Sequence, residues 1–246
     1  MKLVGRASPH RRRRFTVVLL LAVGFLIVAL LDYLQPQQVV ESPQTLSVQS
    51  VPQELRVSAI ESLGKLAVKD RVSLDGYARD KFSPGWAEVA GCDMRNRILQ
   101  RDLQEVVLDD DNCTVLSGVL PDDPFTAQTI PFQRGRETSG DIHIEHIVAV
   151  SDAWQKGAQQ LDYKRRQEFY NDPLILIAVD GASNMEKGDK DAADWLPHER
   201  YRCQYVARQI AIKLEYDLWV TRNEHNAIKR VLQTCPGQIL PVVGDF

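Results

Sequence analysis

No excess of basic residues marks this sequence. Its 30 Lys and Arg stand against 33 Asp and Glu, a net charge of −3, which excludes a strongly basic nucleic-acid binder on average charge but not a local basic groove. Glycine and proline, at 14 and 12 residues, are at ordinary levels, so collagen-like and low-complexity classes are removed, and no internal repeat is visible. The four cysteines form no CxxC pair and no Cys/His zinc spacing, so a structural zinc site is not expected. What is present is 44% hydrophobic and 26% charged residues over a 246-residue chain. That is enough for one large or two small domains with an ordinary core, and it excludes disorder as the main state.

No acidic residue precedes Asp32, whereas Lys2, Arg6 and Arg11 to Arg14 all do. Residues 32–246 are left with 24 basic against 33 acidic residues, a net −9. The arginines abut the 17-residue uncharged run Phe15 to Leu31 (FTVVLLLAVGFLIVALL), which as a helix spans ~25 Å, close to the hydrocarbon thickness of a bilayer. A cleavable signal peptide carries a shorter apolar stretch with a small-x-small site after it. The triplet of that kind here, Ala22-Val23-Gly24, lies inside the run. Residues 1–14 therefore read as a basic cytoplasmic segment and 15–31 as an uncleaved transmembrane signal anchor. Positive charge stays cytoplasmic, so the rest of the chain is expected outside the cytoplasm at the cell membrane, single-pass, or secreted if the N-terminal segment is cleaved. Cys92, Cys113, Cys203 and Cys235 all lie beyond the run, and an even count in an exported chain suggests two disulfides. Of three pairings, sequence order favours Cys92 with Cys113 and Cys203 with Cys235, each stapling a local segment.

Residues 32–53 read as a stalk: from Gln35 on they are rich in Gln, Pro, Ser and Val with no helical stripe. Over 54–70, Leu55, Ile60, Leu63 and Leu66 fall at amphipathic-helix spacing. From Tyr77 to Arg134 the pattern predicts a helix around Asp93–Leu103 and short strands near Val106–Leu108, Thr114–Leu120 and Thr129–Phe132, a helix-plus-hairpin unit. Ile142 to Val150 (IHIEHIVAV) alternates and reads as a strand, Ser151–Tyr170 as helix or helix with loop, Leu174–Val179 as a short buried strand, and Asn184 onward (NMEKGDKDAADWL) as a helix. Two more helices are expected at about Glu199–Tyr216 and Thr221–Thr234, with Thr221 and Glu224 in capping-box spacing. The class is α+β, a single domain over 54–246.

Within the strand, connection, strand, helix unit of 141–197, Glu145-His146 near a strand end and Asn184 with Lys187 at a helix start stand out. A carboxylate and an amide oxygen are hard ligands suited to Mg2+ or a similar ion such as Mn2+, and an imidazole can take a proton from water at neutral pH. Lys187, three residues after Asn184, lies on the same helix face, where its ammonium could reach a phosphate oxygen. Adjacent strand residues point to opposite faces, so Glu145 and His146 cooperate only if the strand ends or bulges there. His143 shares the Glu145 face and reads as an exposed strand histidine or an extra ligand.

The segments YARDKFSPGW (77–86), GCDMRNRILQRDL (91–103), DPFTAQTIPF (123–132), IEHIVAVSDAWQKGA (144–158), NDPLILIAV (171–179), SNMEKGDKDAADWLP (183–197) and YRCQYVARQIAIK (201–213) resemble, in this order, the exported HNH endonucleases of the GmrSD type. The resemblance covers about residues 55–235 and implies a ββα-metal fold in which a two-stranded sheet and a helix hold a divalent metal. It implies nucleic acid as substrate, Glu145 as metal ligand where the family usually has Asp, His146 as general base, Asn184 as second ligand and Lys187 as the following motif lysine. Arg95, in CDMRN, matches an arginine of the family's amino-terminal motif and is expected to contact phosphate. No protein partner follows from the sequence.

Two positions depart from that pattern. The family's middle Asn falls at Ile175, with Asn171 four residues too early to replace it, and the proline often found after the histidine is Ala149. An isoleucine offers no hydrogen bond to hold the histidine-bearing loop, so a slow nuclease is expected, with Ile175→Asn raising its rate. The alternatives are a weakened HNH-like domain that binds nucleic acid or an envelope partner, and a structural envelope protein.

Overall fold

The computed structural model describes residues 57–241. The expected cytoplasmic segment, anchor and stalk lie outside the described residues, among which no helix is long and apolar enough to cross a membrane.

The amphipathic helix expected over 54–70 is only five residues long, α1 (Ala59–Leu63). Gly64, a poor helix former, follows it as C-cap, and Leu66 enters the core from non-helical chain. The ribbon of β1 (Glu88–Val89) and β2 (Cys92–Asp93) leads into α2 (Met94–Asp102), whose N-cap Asp93 accepts the Asn96 amide. The strands β3 (Gln104–Leu108), β4 (Val115–Leu120) and β5 (Ile130–Gln133) form an antiparallel sheet in that order, so all three strands expected after the helix are present and pair as one sheet. A disulfide joins Cys92 on β2 to Cys113 before β4.

The second half runs β6 (Ile142–His146), α3 (Val150–Gln155), α4 (Tyr163–Asn171), β7 (Leu176–Asp180), α5 (Gly181–Lys187), α6 (Arg202–Glu215) and α7 (Arg222–Gln233). Strands β6 and β7 pair antiparallel without a register shift, from Ile142 opposite Asp180 to His146 opposite Leu176. Period-two alternation gives this hairpin two apolar faces. Ile142, Ile144, Leu176 and Ala178 pack with Ile98 and Leu99 of α2, and Ile177 and Val179 join the larger core with Val206 and Ile210 of α6 and Ile228 of α7. Helix α7 begins with the capping box of Thr221 and Glu224 read from the sequence. The second disulfide, Cys203 to Cys235, ties the start of α6 to the residue after the α7 cap.

Helix α5 is pressed against the start of β6. The Gly181 amide donates to the Asp141 carbonyl at 2.9 Å, and a Cβ at Gly181 would lie 2.1 Å from the Gly140 carbonyl oxygen, so only glycine allows this seat. Asp180 caps the helix on the Ser183 amide. The helix ends at Lys187, well short of the helix expected through Leu196, because Gly188 adopts φ 53°.

The larger core encloses a network of charges. Lys156 Nζ lies 2.7 Å from Asp152 Oδ1, 2.6 Å from Asp191 Oδ2 and 2.7 Å from Glu224 Oε2, and Lys213 Nζ lies 2.8 Å from Glu224 Oε1. Arg71 closes it at 2.8 Å from Asp191. Three cations balance three carboxylates, and all but Arg71 are buried.

Candidate active site

Strand alternation turns His143 and Glu145 toward α5, and the glycine seat of that helix brings Asn184 and Lys187 to meet them. Lys187 is 0% exposed, and its ammonium donates to Glu145 Oε1 at 2.6 Å and lies 3.5 Å from the His146 carbonyl oxygen. A buried ammonium requires such a partner, because desolvation alone would cost several kcal/mol. Lys187 thus sits inward on Glu145, where the sequence suggested an outward reach to phosphate. Asn184 Nδ2 lies 3.2 Å from His143 Nδ1. Glu145, Asn184 and Lys187 therefore converge, with His143 among them.

His146 is the last residue of β6 and points to the other face. It is 2% exposed, and its ring lies parallel to Trp86, with centroids 5.8 Å apart, and to Phe169, 6.5 Å away. Nε2 is 2.9 Å from the Tyr170 carbonyl oxygen. A carbonyl only accepts, so Nε2 carries the proton and Nδ1 keeps the lone pair. Burial, joined by the nearby charges of Arg79 and Lys187, pushes the imidazole down to about 3 despite the Tyr170 bond, so the ring is neutral near pH 7. Trp86 also lines an open cavity of about 900 Å3 with Met94, Asn171 and Tyr216, whereas Glu145 and Asn184 do not line it.

Arg95, on α2, makes no hydrogen bond or ion pair with Glu145, His146, Asn184 or Lys187, and none with any other described residue. Burial first, then the charge of Arg134, lowers its pKa against the pull of Asp93. Arg134 is itself engaged, donating to the Val115 carbonyl and Asn96 Oδ1.

Residues 93–231, more than half the chain, match the family of GmrSD restriction endonucleases, C-terminal domain. The chain belongs to that family. An uncharacterized secreted protein of the fungus Arthroderma benhamiae is 36% identical over 178 residues, covering 70% of this chain and 82% of the relative. Membership in a nuclease family raises the question of the metal. Among the described residues no three His, Cys, Asp or Glu side chains gather to hold one. Glu145 Oε2 and Asn184 Oδ1, however, make no hydrogen bond among the described residues, and both are hard oxygen donors. They fit an ion that leaves most of its octahedron to water and substrate, as Mg2+ does.

The family relation also isolates Ile175. It is 0% exposed within the larger core, and its carbonyl accepts the Ile147 amide at 3.0 Å. The turn before β7 is held by two arginines that sequence reasoning missed. Arg208 donates to the carbonyls of Leu174, Pro173 and Leu176, and Arg101 to those of Pro173 and Leu176, at 2.6 to 3.0 Å. No local pattern near residue 175 discloses guanidinium groups 74 and 33 positions away. The turn before β7 is thus anchored without an asparagine at 175, and the position where Ile175→Asn was expected to raise the rate is filled by a fully buried apolar side chain. Ile175→Asn should instead cost roughly 2–4 kcal/mol, since it buries an amide and removes apolar volume. A thermal melt unchanged from the parent chain would refute that.

Proposed function

We propose that this chain is an extracytoplasmic endonuclease that hydrolyses phosphodiester bonds of DNA or RNA with one divalent ion, Mg2+ or Mn2+, held by Glu145 and Asn184. The observation that carries the reading is the convergence of Glu145, Asn184 and Lys187 between β6 and α5 of a ββα unit in a member of a nuclease family. His146 is the general base of this reading, with Nδ1 as the basic nitrogen and Nε2–H donated to the Tyr170 carbonyl; because the ring is buried on the face opposite Glu145, the end of β6 must open for it to reach the attacking water. Lys187 orients Glu145 and neutralises part of its charge. Arg95, a guanidinium with no internal hydrogen bond among the described residues, contacts a substrate phosphate. The ion, when bound, supplies positive charge for the departing oxyanion. Export is supported by the secreted relative, and the apolar run 15–31 anchors the domain to the membrane.

A second reading, an HNH-like domain that binds nucleic acid or an envelope partner with weakened catalysis, draws on the 2% exposure of His146. A plasmid-nicking assay on the full chain separates the two. Cutting of plasmid or of an RNA substrate with Mg2+ or Mn2+ that stops in EDTA is expected; retention on nucleic acid with neither substrate cut under any metal selects the binding reading.

A further inference from the structure

We infer that His143 is a positioning residue for Asn184: its Nδ1 accepts the hydrogen bond of the carboxamide N–H and so leaves Oδ1, the ligating end, free for a cation. The inference rests on the metal reading of Glu145 and Asn184 given above. Its physical basis is the two-ended chemistry of an asparagine. Oδ1 can bind a cation and Nδ2 cannot, yet the two ends have nearly the same shape, so something must choose between them.

His143 is placed to choose. Nδ2 of Asn184 lies 3.2 Å from His143 Nδ1, and an amide nitrogen only donates, so Nδ1 is the acceptor and Nε2 bears the ring proton. On the ring's other side Nε2 lies 3.2 Å from where a Gly181 Cβ would be, so the glycine leaves room there that a side chain would take from the ring. Glu145 shares its strand face two residues on, so the one element that carries the carboxylate ligand also orients the amide ligand. Partners of this kind, one bond removed from the ion, commonly govern metal affinity by 10- to 100-fold.

The test is Mn2+ binding to the full chain by titration calorimetry, with no activity readout. His143→Leu, which lacks an acceptor, should weaken Mn2+ binding about tenfold or more. Asn184→Asp presents oxygen at both ends and needs no orientation, so adding His143→Leu to it should cost nothing further; this non-additivity marks positioning. His143→Ala is run beside the leucine variant and answers the question if leucine does not pack. Unchanged Mn2+ affinity in the His143 variants, while the parent chain binds, overturns the inference. So does an equal loss whether His143 is replaced in the parent chain or in the Asn184→Asp variant, which would make His143 a ligand or a packing residue. A parent chain that binds no Mn2+ overturns the metal reading itself, and the inference with it.

Discussion

Lys156→Met should lower stability by about 3–5 kcal/mol, roughly 6–20 °C in the thermal midpoint for a domain of this size. Methionine keeps much of the side-chain volume, so the loss comes from charge and not from a cavity. Lys156 is fully buried and is the common partner of Asp152, Asp191 and Glu224. Without it, three buried carboxylates face only Lys213 and Arg71. Asp152 Oδ1 and Glu224 Oε1 already lie off any hydrogen-bond line and depend on ion-pair contact, the first with Lys156 and Arg71 and the second with Lys213. Calorimetric melting is the measurement, and a midpoint within about 2 °C of the parent chain would show that the network is not what holds α3, α6 and α7 together. Acid should act on the same group of charges. Burial would raise the Asp191 carboxyl, but the charge of Lys156 and the hydrogen bonds from Lys156 and Arg71 outweigh it and bring the pKa down from 3.8 to about 2. Its folded pKa is depressed, so its contribution is complete above about pH 4 and is lost as pH falls through about 2.

His146→Ala should reduce cleavage by about 10²- to 10⁴-fold, the usual scale of a general base, while Mn2+ affinity stays that of the parent chain. The two readouts separate because β6 presents Glu145 to α5 and His146 to the opposite face. Alanine also leaves the Tyr170 carbonyl without its donor and removes a ring from between Trp86 and Phe169, so a fold defect has to be distinguished from a chemical one. His146→Gln makes that distinction, since its amide can still donate to Tyr170 but offers no basic nitrogen. Both variants should be inactive, and the glutamine variant should melt nearer the parent. Cleavage at the parent rate by either folded variant would remove His146 from the mechanism.

Local chemistry was legible wherever neighbours in sequence are neighbours in space. The alternation of Ile142 to His146 marked a strand, because period two is a property of the extended chain itself. Thr221 and Glu224 announced the start of α7 three residues apart, and the order of four cysteines in a chain read as exported indicated the two disulfides that form. The family was legible as well, since seven segments in order carry it. By itself, then, the sequence determined the class of fold, the covalent frame, the nuclease family, and that Glu145, His146 and Asn184 are the residues to question. Tertiary structure alone decided what each of those side chains faces. The helix expected over 54–70 ends at Gly64, and Leu66 reaches the core from non-helical chain. Lys187 turns inward because α5 lies against β6 at a distance only Gly181 permits, and the same approach delivers Asn184 to His143. Ile175 is tolerated because Arg101 and Arg208, far away in the chain, satisfy the carbonyls around it. Nothing in the sequence singles out Lys156, Lys213, Asp152 or Asp191, and Glu224 stands out only as half of a capping box. They are buried because charges of opposite sign from four separate segments meet there, and a pairing between distant segments leaves no period in the sequence to read.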